Sequence, residues 1–213
     1  MSKTIFDHKP VLKLFQLIAS FLLFCFRWRT IGKKPDLPKY VTIAAPHTSN
    51  WDFFFTITIA LKLDIQIHWL GKASLFEGLF GKFLLYLGGV PVDRSKSNNL
   101  VDQMAELIKS RDDFTLVVPP EGTRKHVTKW KTGFYYIALK AEVPILLGFL
   151  DFKRRTGGFL DEMYYPSGDA EKDIAEIQAV YKNIIGKNAE NFYNAPLSAS
   201  ISEAASNPAK KPS

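Results

Sequence analysis

Short apolar runs, each bounded by proline or glycine and separated from the next by a helical stretch, recur through the middle of this 213-residue chain. Residues 41–45 (VTIAA) stop at Pro46, and residues 90–92 follow Gly88-Gly89. Residues 114–118 (FTLVV) stop at Pro119-Pro120, and residues 144–149 open with Pro144. Runs this short and this apolar read as strands buried on both faces. A further strand is expected at 65–70 and helices at 51–63 and 134–141. In the helical stretch after residue 99, Leu100, Met104, Leu107 and Ile108 share one face, with Asp102, Glu106 and Lys109 turned away. A last helix opens at Asp169 and runs to about residue 185, with Ile174, Ile177, Val180, Tyr181 and Ile184 as its apolar stripe. Gly157-Gly158, inside residues 154–165, reads as a hairpin at the sheet edge. Strands alternating with helices at this spacing predict an α/β fold: one layered domain with a mostly parallel or mixed sheet flanked by helices.

Ahead of this pattern lies an apolar run, VLKLFQLIASFLLFCF over residues 11–26, interrupted only by Lys13, Gln16 and Ser20. As a helix it is about 24 Å long, short of a hydrocarbon core of about 30 Å. Arg27, Trp28 and Arg29 follow at once, the residue types found where a helix meets a membrane interface. A cleavable secretory leader needs small residues after the run, and Phe26-Arg27-Trp28-Arg29 has none. An interfacial or half-inserted anchor is therefore favoured over a full span or a soluble core helix. The chain divides into a membrane-associating segment at 1–32, a folded domain at 33–195 and a disordered tail at 196–213, rich in Ala, Ser and Pro. Cys25, the single cysteine, excludes an internal disulfide and a multi-cysteine zinc site and is expected to be a buried thiol. The net charge of +7 favours an anionic partner without choosing among nucleic acid, acidic membrane and phosphorylated substrate.

Four clusters at strand ends carry residues suited to chemistry. His47 follows the strand at 41–45 through Pro46 and opens Pro-His-Thr-Ser-Asn-Trp-Asp. Ser49 or Asn50 can cap the helix that starts there, placing Asp52 in its first turn, within reach of the imidazole. The second cluster is Val90-Pro91-Val92-Asp93-Arg94. The third is Val118-Pro119-Pro120-Glu121-Gly122-Thr123-Arg124, and the fourth is Val143-Pro144-Ile145. Each alone has an ordinary reading as a strand-end cation, a turn or core.

In order and spacing, His47-x-x-x-x-Asp52, Gly-Val-Pro-Val-Asp-Arg94, Glu121-Gly122-Thr123-Arg124 and Val143-Pro144-Ile145 together resemble the four motifs of the glycerolipid acyltransferases, over roughly residues 40–150. The resemblance implies that His47 is a general base oriented by Asp52. It also implies that Arg94, Glu121, Gly122, Thr123 and Arg124 hold the glycerol phosphate of the acceptor. Lys72 resembles a further phosphate-contacting lysine of the family, although Ser74 stands where an acid is usual and Pro120 where an aromatic is usual. These departures bear on the acceptor headgroup, not on the base.

The implied reaction moves a fatty acyl group from an acyl thioester, acyl-CoA or acyl-carrier protein, to a free hydroxyl of a lysophospholipid such as 1-acyl-glycerol-3-phosphate. It needs no metal and no cofactor beyond the donor substrate. The expected setting is the cytoplasmic face of the inner membrane, in phospholipid biosynthesis or remodelling. Alternatives are a lyso-ornithine lipid acceptor or a non-catalytic basic peripheral membrane protein. A phosphoesterase lacks a supporting motif, and nucleic acid is not expected as a partner because the cations are scattered. Phe76, Phe80, Phe83, Leu84 and Leu87 suit an acyl-chain tunnel or ordinary core equally. His8, His68 and His126 receive no role.

Overall fold

A computed structural model describes residues 3–92 and 99–192. Its centre is a seven-stranded sheet of β1 (Arg29–Ile31), β2 (Lys39–Ala45), β3 (Ile67–Lys72), β4 (Gly89–Val92), β5 (Phe114–Val118), β6 (Ile145–Asp151) and β7 (Thr156–Tyr164). The order across the sheet is β1-β7-β6-β2-β5-β3-β4. Strands β6, β2, β5, β3 and β4 run parallel, β7 is antiparallel to β6, and β1 is parallel to β7. The sheet is mixed and mostly parallel. Strand β2 lies at its middle, so its carboxyl end opens between the loops that follow β5 and β6.

Among the described residues six α-helices flank the sheet: α1 (Lys9–Cys25), α2 (Asn50–Lys62), α3 (Gly78–Tyr86), α4 (Leu100–Lys109), α5 (Gly133–Ala141) and α6 (Ala170–Val180). One face of the sheet, with Val41, Ile43, Leu116, Ile145 and Leu147, packs on α4, α5 and α6 through Met104, Ile108, Phe134, Ile137 and Ile177. The opposite face, with Tyr40, Val117 and Leu146, meets α2 through Ala60. Burial of both faces explains why these strands are continuous apolar runs instead of alternating ones. Helix α1 lies outside α2, with Leu12 and Ala19 against Leu61, and Leu23 in a cluster with Phe55 and Ile59.

Several expectations need correction. Gly157-Gly158 is not a turn: residues 152–155 make the reversal, with Arg155 at φ 50°, and both glycines lie within β7. Nor is β7 an edge, because β1 pairs with it along Arg29↔Thr156 to Ile31↔Gly158. A Cβ on Gly158 would stand 1.9 Å from the Ile31 carbonyl oxygen, so that position requires glycine. Strand β1 falls within residues 1–32, so part of that stretch belongs to the sheet. Cys25 is exposed, because α1 turns Leu12, Ala19 and Leu23 inward and Cys25 falls on the other side. Helix α6 ends at Val180, which is exposed, and a 3-10 turn over Tyr181–Asn183 carries Tyr181 back into the core. In the tunnel candidate, Phe80 and Phe83 are exposed while Leu84 and Leu87 are buried. Residues 196–213, expected to be disordered, and Arg94 lie outside the described residues.

Candidate active site

Asp52 gains its position from the start of α2. Ser49 is the N-cap: its Oγ accepts the Trp51 N–H at 3.1 Å, and Asp52, three residues on, reaches back in a capping box. The Asp52 Oδ2 accepts the N–H groups of Thr48 at 2.6 Å and Ser49 at 2.8 Å, while Oδ1 accepts the Ser49 hydroxyl at 3.0 Å. These donors and the positive end of the helix dipole hold a buried carboxylate in one orientation. His47 Nδ1 lies 3.4 Å from Asp52 Oδ2. That separation is long for a hydrogen bond, in the range from which unliganded catalytic pairs tighten. The imidazole keeps 22% of its surface exposed, and with Nδ1 on the carboxylate, Nε2 is the nitrogen available to a substrate proton.

The loop after β5 supports His47 from the other side. Glu121 is 1% exposed, and its Oε1 accepts the His47 backbone N–H at 2.9 Å. Its Oε2 is buried without a hydrogen-bond partner among the described residues. Burial pushes the carboxyl up to about 7, against the opposing effect of the His47 N–H. Glu121, which the resemblance assigns to the acceptor site, lies beneath the loop and braces the backbone of His47. Gly122 turns at φ 66°, and a Cβ there would stand 2.9 Å from the Lys131 side chain. The Thr123 hydroxyl accepts the Lys125 N–H at 3.3 Å. The Arg124 guanidinium donates to Asn50 Oδ1, which brings an exposed cation onto the first turn of α2 beside the His47–Asp52 pair. Lys72 is exposed at the carboxyl end of β3, on the same edge of the sheet as His47 but with β5 between them.

Three neighbours had no signal in the sequence. The stem of Lys131 lies against Gly122, adding a cation to the β5 flank. Asn188 binds the loop after β2 twice at Thr48: its N–H donates to Thr48 Oγ1 at 3.1 Å and its side-chain amide donates to the Thr48 carbonyl at 3.0 Å. Gly186 packs behind the same loop, where a Cβ would come 2.8 Å from Thr48 Oγ1. Asn188 and Gly186 are brought in by contacts between segments far apart in the chain, and Lys131 by the fold of its own loop onto Gly122.

An imidazole backed by a carboxylate, with an arginine fork beside it, is equipped to take a proton from an alcohol and to hold an anionic group on the same molecule. A family model described as Acyltransferase matches residues 30–146, more than half of the chain. The chain belongs to the acyltransferase family. This acyltransferase is also similar in fold to the 1-acyl-sn-glycerophosphate (LPA) acyltransferase PlsC from Thermotoga maritima, seen in its crystal structure. The TM-score is 0.59 at 18% sequence identity, over 96% of this chain and 83% of that one. No curated protein matches the chain. It is an acyltransferase enzyme, so the non-catalytic alternative is set aside.

Proposed function

We propose that the enzyme transfers a fatty acyl group from a thioester to the free hydroxyl of a lysophospholipid, with 1-acyl-glycerol-3-phosphate as the favoured acceptor. The observation that carries this reading is the meeting of a carboxylate-backed imidazole and the Arg124 cation at the start of α2. His47 Nε2 takes the hydroxyl proton as the oxygen attacks the thioester carbonyl. The tetrahedral intermediate collapses, the carbon–sulfur bond breaks, and the imidazolium returns its proton to the departing thiolate. Asp52 fixes the tautomer and stabilises the imidazolium in between. Arg124 and Lys131, with Thr123 and the backbone at Gly122, take the acceptor phosphate, Lys72 adds charge along the same edge, the family resemblance assigns Arg94 to the same phosphate, and Glu121 positions the loop.

The membrane supplies the acceptor in this reading. On α1, Leu14, Leu17, Phe21 and Phe24 form an outward stripe, Phe24 being 79% exposed. On α3, Leu79 is 86% exposed and Phe80 lies beside it in sequence. No helix among the described residues is long and apolar enough to cross a membrane. Apolar faces of this kind suit helices lying in the headgroup region of a cytosol-facing membrane, with the enzyme acting in phospholipid biosynthesis or remodelling.

The test is lipid mass spectrometry of the purified enzyme given mixed lysolipids, with and without a phosphate, and both acyl-CoA and acyl-carrier protein. The expected product is a diacyl phospholipid that fails to form with His47→Ala, while circular dichroism of the variant is unchanged. Full turnover by that variant, or preferential acylation of a phosphate-free lysolipid, would overturn the assignment.

A further inference from the structure

His47 is approached from two flanks, and the groups that hold the acceptor occupy only the one beside β5. On the β6 side an open cavity of about 640 Å³ lies between the end of α1, the start of α2 and the turn after β6. Its wall continues into the catalytic loop through Gly186, whose Cα is backed directly by Pro46 and Thr48. It opens at the carboxyl end of the parallel strand β6, beside β2, where crevices of α/β sheets take their ligands.

The chemistry of this wall is one-sided. Arg27, Lys153, Arg155 and Lys187 line it, and no acidic residue does among the described residues. None of these four cations is paired with a carboxylate among the described residues. Cations gathered in one concavity repel one another, so the cluster is most stable with a polyanion between them. Aromatic surface accompanies the charge. Trp51 is 45% exposed, and the Lys187 ammonium lies 6.0 Å from the centre of the Phe152 ring. Behind them Trp28 stacks on Phe55 with ring centres 4.0 Å apart, a rigid backing for a flat ligand. Arginine forks and ammonium groups hold phosphates, and an open aromatic face stacks on a base. A lysophospholipid headgroup offers phosphate but no purine; a nucleotide offers both.

We propose that this cavity seats the phosphorylated, purine-bearing end of a coenzyme A thioester. The donor then reaches His47 from the β6 flank while the acceptor occupies the β5 flank. The inference rests on the acyl-transfer reading above and deepens it by naming the class of donor and the residues that select it.

Calorimetric titration of the full chain with coenzyme A, alongside tryptophan fluorescence, tests it without requiring turnover. The comparison probes are phosphopantetheine, inorganic phosphate and phosphatidylglycerol vesicles. Coenzyme A is expected to bind and quench fluorescence, with phosphopantetheine weaker by at least about tenfold. Lys153→Glu with Lys187→Glu, both at exposed positions, should weaken coenzyme A binding and raise the acyl-CoA KM by about tenfold or more, with the lysophospholipid KM moving by less than about twofold. Arg155→Asn, which tolerates the left-handed φ of 50°, should act in the same direction and serves if the double variant does not fold. Equal binding of coenzyme A and phosphopantetheine would overturn the proposal, as would a loss confined to vesicle binding or to the acceptor KM. Acyl transfer from carrier protein with no coenzyme A binding would sink the cavity assignment and leave the acyl-transfer reading standing. Coenzyme A binding with no transfer from any donor would do the reverse.

Discussion

Replacing Glu121 by glutamine should change how the stability of this enzyme depends on pH, in a direction the structure fixes. Burial raises the Glu121 carboxyl from an ordinary 4.5 to about 7. Below the unfolded value both states hold the proton, and pH has no effect through this group. Between the two values the unfolded chain releases the proton and the folded chain keeps it, so stability falls as pH rises. Each tenfold difference in proton affinity between the two states is worth about 1.4 kcal/mol, so the loss complete above pH 7 is on the order of 3 kcal/mol. Glutamine retains an oxygen to accept the His47 N–H and cannot ionise. The stability of Glu121→Gln relative to the parent should therefore climb by on the order of 3 kcal/mol between about pH 4.5 and about pH 8. Urea denaturation of both proteins across that range measures the difference, in which all other titrating groups cancel. A difference that stays constant with pH would show that the folded carboxyl ionises as an exposed one does, and the buried, half-satisfied Glu121 would be refuted.

Other outcomes follow from the same structure. His68 is buried and stacked on Phe114, with Nδ1 unpartnered, and burial lowers it to about 4. The fold therefore loses stability as pH falls from about 6.5 to about 4, and His68→Gln should flatten that acid limb in the same denaturation series. His47→Ala should lower kcat by about 10²–10⁴-fold in a thioester-release assay, and a loss under tenfold would exclude general-base catalysis by this residue. Arg124→Ala should raise the acceptor KM by at least about tenfold with little change for the donor, read from initial rates over both substrates. Gly158→Ala should destabilise by more than about 2 kcal/mol, because its methyl group meets the Ile31 carbonyl; an unchanged melting temperature would argue against β1 as placed.

The parts of the fold legible in the sequence are those decided locally. The central strands are largely apolar on both faces and are bounded at one end by proline or glycine, so their pattern survives without any knowledge of their neighbours. The placement of Asp52 is legible for a similar reason. A serine cap followed three residues later by an acid is a local helix signal, and that acid also faces His47. Strand β1 is not legible: it is three residues long, has no buried position, and is defined by its partner β7. The glycines of β7 mislead because glycine marks a turn and a close strand contact alike, and only the position of Ile31 decides between them. Nothing in the sequence neighbours of Glu121 discloses that its side chain is buried under the His47 backbone. Asn188 meets Thr48, and the cations of the β6 flank meet one another, only when distant segments fold.

The hold of Asn188 on Thr48 bears on when the loop carrying His47 is fixed during synthesis. The loop bearing His47 emerges from the ribosome 140 positions ahead of the residue that clamps it. At ordinary elongation speeds that interval is roughly 7–28 s. A nascent chain therefore carries His47 on a loop without this clamp until residue 188 has been made and has folded back against Thr48.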